Sequence, residues 1–150
     1  MPQSLTKNYI HLVFSTKYRL PIIAPNVEDK LHAYLGGTCK ALSCPVLAVG
    51  GYVDHVHILF ILSKNIALKD LVQRLKAHSS KWIKTQDAQL SQFYWQLGYG
   101  AFSISQKDVE SVRYYIKNQH HHHTKEDFHT EFRSLLTKYE IDFDERYVWD

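Results

Sequence analysis

A chain of 150 residues is long enough to bury a full hydrophobic core in one domain, residues 1–150. Hydrophobic residues make up 45% and charged residues 22%, and no apolar run approaches the roughly 20 residues that span a bilayer, so the sequence excludes a membrane helix and predicts a soluble protein. The amino terminus carries no signal-peptide pattern, and the expected compartment is the cytoplasm. The formal charge of +3 permits a nucleic-acid partner without demanding one; ten Tyr, seven Phe and three Trp offer faces for stacking on bases, though most belong to a core. Cys39 and Cys44 read as reduced, buried thiols in that compartment.

Asn8 to Thr16 alternates as a first strand, with Ile10, Leu12 and Phe14 on one face and Tyr9, His11, Val13 and Ser15 on the other. Pro21 and Pro25 interrupt the chain. Asn26 is placed to cap a helix over Val27 to Leu42, and Pro45 ends it. Val46 to Val53 forms a second strand with Gly50-Gly51 as a bulge or sharp bend, and His55 to Leu62 a third. Asn65 is placed to cap a helix over Ala67 to Lys84, whose stripe is Leu68, Leu71, Val72, Leu75, Trp82 and Ile83. Phe93 to Ser105 reads as a further strand, Asp108 to Gln119 as a helix, and Thr124 to Tyr139 as another. The order β-α-β-β-α-β followed by helices predicts an α+β, ferredoxin-like fold: an antiparallel sheet with two helices on one face.

In a strand, residues i and i+2 share a face, so His55 and His57 project side by side, away from the two helices. Two imidazoles so placed can ligate one divalent metal ion. On the later helix Tyr115 and Gln119 are four apart and share a face; the Gln carbonyl is an oxygen ligand suited to Mg²⁺ or Mn²⁺, and a tyrosine phenolate is a nucleophile. Tyr114 and Asn118 have the same spacing, and the spacing leaves both registers open. His120 to His123 reads as a solvated helix end, with a phosphate contact as its alternative, because consecutive helical residues point in different directions.

The motifs His55-Val56-His57 and Tyr115-Ile116-Lys117-Asn118-Gln119 resemble those of the HUH single-tyrosine transposases, the TnpA-like group of insertion sequences that move as single-stranded DNA. Val13 to Arg19, Gly50 to Asp54, Gly98 to Ser103 and Asp144 to Tyr147 also resemble that family, so the likeness covers nearly the whole chain. The resemblance implies Tyr115 as nucleophile, with His55, His57 and Gln119 holding Mg²⁺ or Mn²⁺. It implies a homodimer that binds single-stranded DNA through subterminal hairpins and cleaves and rejoins it through a 5′-phosphotyrosine intermediate. It further implies that Tyr115 and Gln119 of one subunit serve the histidines of its partner, with Ser103 to Lys107 as the hinge. Lys17, Arg19 and Lys76 are the expected DNA-backbone contacts. A replication-initiator or relaxase-like nickase and a non-catalytic hairpin-binding relative are the rival readings.

Overall fold

The computed structural model describes residues 1–150. Strand β1 (Asn8–Ser15) pairs antiparallel with β3 (His55–Leu62) on one side and β4 (Gly100–Ile104) on the other, and β2 (Val46–Tyr52) flanks β3. The sheet order is β2-β3-β1-β4, which puts the histidine strand inside the sheet. The expected α+β arrangement is the one observed.

The period-2 patterning of β1 and β3 divides the molecule. Leu12, Phe14, Val56, Ile58 and Phe60 face helices α1 (Pro25–Ala41) and α2 (Leu68–Ile83), which bring Leu31, Leu35, Leu71 and Leu75 to a common core. Fully burying each such side chain contributes about 1.5–3 kcal/mol, so this side anchors the sheet. The opposite face carries Tyr9, Val13, Leu59 and Phe102 under three shorter helices, α3 (Val109–Lys117), α4 (Gln119–His122) and α5 (Phe128–Lys138). His11, His55 and His57 lie on that second face, under the short helices and away from α1 and α2.

Several local expectations give way. Asn26 caps nothing: α1 begins one residue earlier at Pro25, whose fixed φ suits a first helical position, with Ala24 before it. Asn65 sits in a turn, and α2 starts only after Ala67. Gly50 and Gly51 pair in register with His57 and Val56; the β2 irregularity lies instead between Val46 and Ala48. Gly50 is needed for another reason: a Cβ there would stand 2.2 Å from the Ile116 carbonyl oxygen, so its absence lets α3 rest directly on β2. The strand expected over Phe93 to Ser105 shrinks to Gly100–Ile104 plus a single bridge from Trp95 to Thr16. Before it, Gln96 turns its side chain to the Ser15 N–H and Gly98 donates its N–H to the Asp150 carbonyl, so this stretch meets the last residue of β1 and the carboxyl terminus rather than a continuous strand partner.

Candidate active site

The β2–β3 turn and the alternation of β3 bring His55 and His57 to one face, both with no exposed surface. Each ring is fixed through Nδ1. His55 Nδ1 lies 2.7 Å from Asp54 Oδ1, and His57 Nδ1 lies 2.7 Å from Nε2 of His11 on the neighbouring strand. Outer partners of this kind set the orientation of metal-binding imidazoles. Both Nε2 atoms then point at one carboxylate, Glu131 of α5, at 3.3 Å from His55 and 3.0 Å from His57.

The tyrosine helix supplies the rest. α3 buries Val109 and Ile116 against the sheet, and this rotation turns Tyr115 inward while Tyr114 stays 73% exposed. The two registers left open by spacing are thereby distinguished by packing: Tyr115 donates its hydroxyl to Glu131 Oε2, and Asn118 spends its side chain on the Tyr114 carbonyl. The expected continuous helix to Gln119 breaks at Asn118, which has left the helical region (φ −101, ψ 21), and Gln119 opens α4. Gln119 still reaches the site. Its Oε1 lies 2.9 Å from His55 Nε2, and its amide donates to Glu131 Oε2 at 3.0 Å. Tyr115 and Gln119 therefore sit against the histidines of their own chain.

The expectation for His120 to His123 fails in part. His121 is exposed, and His120 pairs with Glu28 on α1. His123, in contrast, turns inward with a side chain 2% exposed, its Nε2 at 2.9 Å from Gln119 Oε1 and 3.2 Å from Glu131 Oε1. The break at Asn118 redirects the chain, so the regular helical projection that sent these residues to solvent does not apply.

Glu131 was not among the residues singled out by sequence, yet every part of the site meets it. A signal was present: α5 buries Phe128, Phe132 and Leu136, with Leu135 packed beside them, and Glu131 interrupts that stripe at i+3 from Phe128. A carboxylate in a buried stripe demands partners, here imidazoles, an amide and a phenol. Burial alone would raise its carboxyl, but His57, His123 and His55 outweigh that and hold it well below the usual carboxylate range. Burial would likewise push the His55 imidazole down, but Asp54 and Glu131 hold it up at about 9. Burial keeps His57 below its ordinary value and His11, with His57 beside it, well below. Burial and the neighbouring Glu131 push the Tyr115 hydroxyl well above the ordinary phenol range.

The donor set fits a divalent cation. The ligating atoms of His55, His57 and Glu131 all lie within 4.8 Å of one another. Neighbouring donors around a six-coordinate ion at about 2.1 Å are about 3 Å apart, the spacing seen between these side chains. A pocket of about 400 Å³ opens beside the tyrosine, lined by His11, Tyr115, His122, Glu131, Lys138 and Tyr139.

The three expected DNA-binding cations lie elsewhere. Lys17 is exposed beside the Tyr18 ring, and the Arg19 guanidinium lies over Trp149. The Lys76 ammonium donates to the carbonyls of Gln96, Leu97 and Gly98, which makes it a tie between α2 and that loop.

Comparison with known proteins gives concordant matches. The family model for IS200-like transposases matches residues 4–119. The ISDra2 transposase TnpA of Deinococcus radiodurans is 26% identical over 115 residues, covering 73% of this chain and 82% of that protein. A crystal structure of a candidate transposase from Deinococcus radiodurans superposes with a TM-score of 0.62 at 23% identity, covering 79% of this chain and 98% of the other. The structure of a REP-associated tyrosine transposase bound to a REP hairpin superposes with a TM-score of 0.57 at 13% identity, covering 77% and 68%. With the histidine strand and the tyrosine helix brought to one buried centre, and the family match running through both, the chain belongs to the IS200-like transposases.

Proposed function

We propose that this transposase cleaves and rejoins single-stranded DNA with Tyr115 as the nucleophile and a divalent cation, Mg²⁺ or Mn²⁺, held by His55, His57 and Gln119. The observation that carries the reading is the convergence of Tyr115, Gln119 and the two Nε2 atoms on one buried point beside an open pocket. The hairpin in a structurally similar transposase supports subterminal hairpins as the DNA recognised.

The Tyr115 oxygen attacks a phosphodiester phosphorus; the bond to the 3′ oxygen breaks; a 5′-phosphotyrosine and a free 3′-OH result. The phenol proton has an acceptor in Glu131 Oε2, and the departing 3′ oxygen takes up a proton in turn. A bound divalent cation supplies polarisation of the phosphoryl oxygen and offsets the added negative charge. His11, Asp54 and the stacked Phe128 ring hold the imidazoles in place, the last at 4.6 Å from His55. Lys138, on the pocket rim, offers a cation to the entering phosphate. Rejoining reverses the step with a 3′-OH as attacker, so no nucleotide cofactor enters.

DNA contacts beyond the centre fall to Lys17 and Arg19, with the exposed Tyr18 and Tyr94 rings as stacking faces. Lys76 acts by holding the Gln96–Gly98 loop.

The test is adduct formation on hairpin-bearing single-stranded oligonucleotides. Tyr115→Phe abolishes the covalent protein–DNA species, Tyr114→Phe retains it, and chelation or His55→Ala removes it. An adduct from the Tyr115 variant, or cleavage indifferent to chelator, sinks the reading; hairpin binding without any adduct in the wild type leaves a binding protein instead.

A further inference from the structure

Two side chains at the centre, His123 and Glu131, come from residues beyond the stretch that the family match covers, and the proposed ligand set of two histidines and a glutamine leaves both out, using Glu131 only through the oxygen that faces Tyr115. We propose that His123 and Glu131 are also metal ligands. The cation is then held by three imidazole nitrogens (His55, His57, His123), the Glu131 carboxylate and the Gln119 amide oxygen. Such a set selects a transition-metal ion such as Mn²⁺, Co²⁺ or Zn²⁺ over Mg²⁺. The inference rests on the reading that His55 and His57 hold a divalent cation.

His123 is prepared in the same way as the other two rings. Its Nδ1 is tied to the Glu126 carbonyl at 2.9 Å, Tyr52 stacks on its face at 5.4 Å, and its Nε2 is aimed inward. All three Nε2 atoms fall within 3.3 Å of a single atom, Glu131 Oε1. His57 and His123 are both hydrogen-bonded to that oxygen, and His55 and His123 share Gln119 Oε1 at 2.9 Å, so three ring nitrogens and two oxygens converge at the spacing of neighbouring ligands. A cation at the shared point turns the same crowd into a coordination shell. Gln119 presents its oxygen, not its amide nitrogen, to His55 and His123, as a ligand would.

The position of Glu131 is itself built. Asp127 caps α5 by accepting from the Thr130 N–H, and Phe128 and Phe132 stack on each other at 5.4 Å beneath it. Phe132 fits because Gly100 has no Cβ, which would stand 2.5 Å from the ring. Glu131 Oε2 keeps the Tyr115 hydroxyl, so one carboxylate joins nucleophile and cation. The metal preference follows from the donors. Affinity for nitrogen donors rises from Mn²⁺ to Co²⁺, imidazole suits Zn²⁺, and Mn²⁺ accepts a mixed nitrogen and oxygen set, whereas Mg²⁺ favours oxygen donors and keeps several waters.

The experiment loads purified full-length protein with Mn²⁺ or Co²⁺, without DNA. It measures affinity by titration against Mg²⁺ and counts coordinated histidine nitrogens by pulsed EPR on the Mn²⁺ form. The wild type shows three nitrogens and is not emptied by a large excess of Mg²⁺. His123→Ala shows two nitrogens, and His123→Ala and Glu131→Gln each weaken binding about tenfold or more. His121→Ala, from the exposed part of the same run, binds as the wild type. Two nitrogens in the wild type, a count that needs no variant to fold, overturn the proposal. So do unchanged affinities in His123→Ala and Glu131→Gln when His55→Ala has lost binding, and in that case the two-histidine reading stands. Binding unchanged in His55→Ala as well overturns both.

Discussion

At the scale of single residues, His55 links the centre to pH. Asp54 Oδ1 faces its Nδ1, while Gln119 Oε1 and Glu131 face its Nε2; all are acceptors, so the metal-free ring carries a proton on each nitrogen, consistent with a value of about 9. A cation at Nε2 must displace one of those protons. His57, already held below its ordinary value, is neutral and releases none. Metal affinity should therefore rise about tenfold per pH unit between about 7.5 and 9 and level off above. Isothermal titration in two buffers of different ionisation enthalpy checks this, and one proton should be released per ion bound. The sign for folding is opposite. In chelator-treated protein the raised His55 contributes stability that is fully present below 6.5 and is lost as pH rises through about 9. His55 and His57 were legible in the sequence because a strand period of two puts them together whatever covers them. Tyr115 was legible only jointly with Gln119, and its distinction from Tyr114 needed the burial of Ile116. Glu131 and His123 lie 76 and 68 positions from His55 and come near it only in space, and no local period announces a contact of that range.

At the scale of elements, the tyrosine helix is located by a missing side chain. Ile116 is fully buried next to Tyr115, and its carbonyl oxygen occupies the room that a Cβ on Gly50 would need, at 2.2 Å. Backbone cannot swing aside as a side chain can, so Gly50→Ala must lift α3 from β2. The expected cost is about 1–3 kcal/mol in denaturant unfolding. The same shift moves the Tyr115 hydroxyl off its partner, and a displacement of about 1 Å lowers the cleavage rate by about 100-fold. Gly37→Ala is the contrast. It lies in α1 with nothing within 4 Å of the new Cβ, so it should stabilise by about 0.5–1 kcal/mol and leave cleavage unchanged. Equal effects of the two substitutions would refute the close-approach role of Gly50. The sequence predicted the strands and the two long helices because their stripes match their periods over many residues. It misjudged the short pieces, where one or two hydrogen bonds decide: the Asn118 break, the Gln96–Gly98 loop and the start of α1 at Pro25.

At the scale of the molecule, one sheet separates an anchoring core from a working face, and the working face is covered by the same chain's α3, α4 and α5. The link into α3 is short and held. Ser105 bonds to Asp108, Tyr9 bonds to Gln106, and Val109 is buried at once. The tail adds a further clasp, with Trp149 stacked on His129 at 4.0 Å, Arg133 paired with Glu145 at 2.8 Å and Asp150 accepting from the Gly98 N–H at 2.8 Å. An exchange of α3 between subunits would have to strip Ile116 from β2 and break the Tyr115–Glu131 bond. This argues for each chain completing its own centre, whether or not it pairs with a second copy. Mixing Tyr115→Phe with His55→Ala protein, refolded together to allow any heterodimer, decides it. With self-contained centres no chain in the mixture holds both an intact tyrosine and an intact histidine pair, so no adduct should form. With exchanged helices, random mixing of a two-fold dimer would restore about a quarter of the wild-type adduct, and its appearance would show that the tyrosine works across the interface.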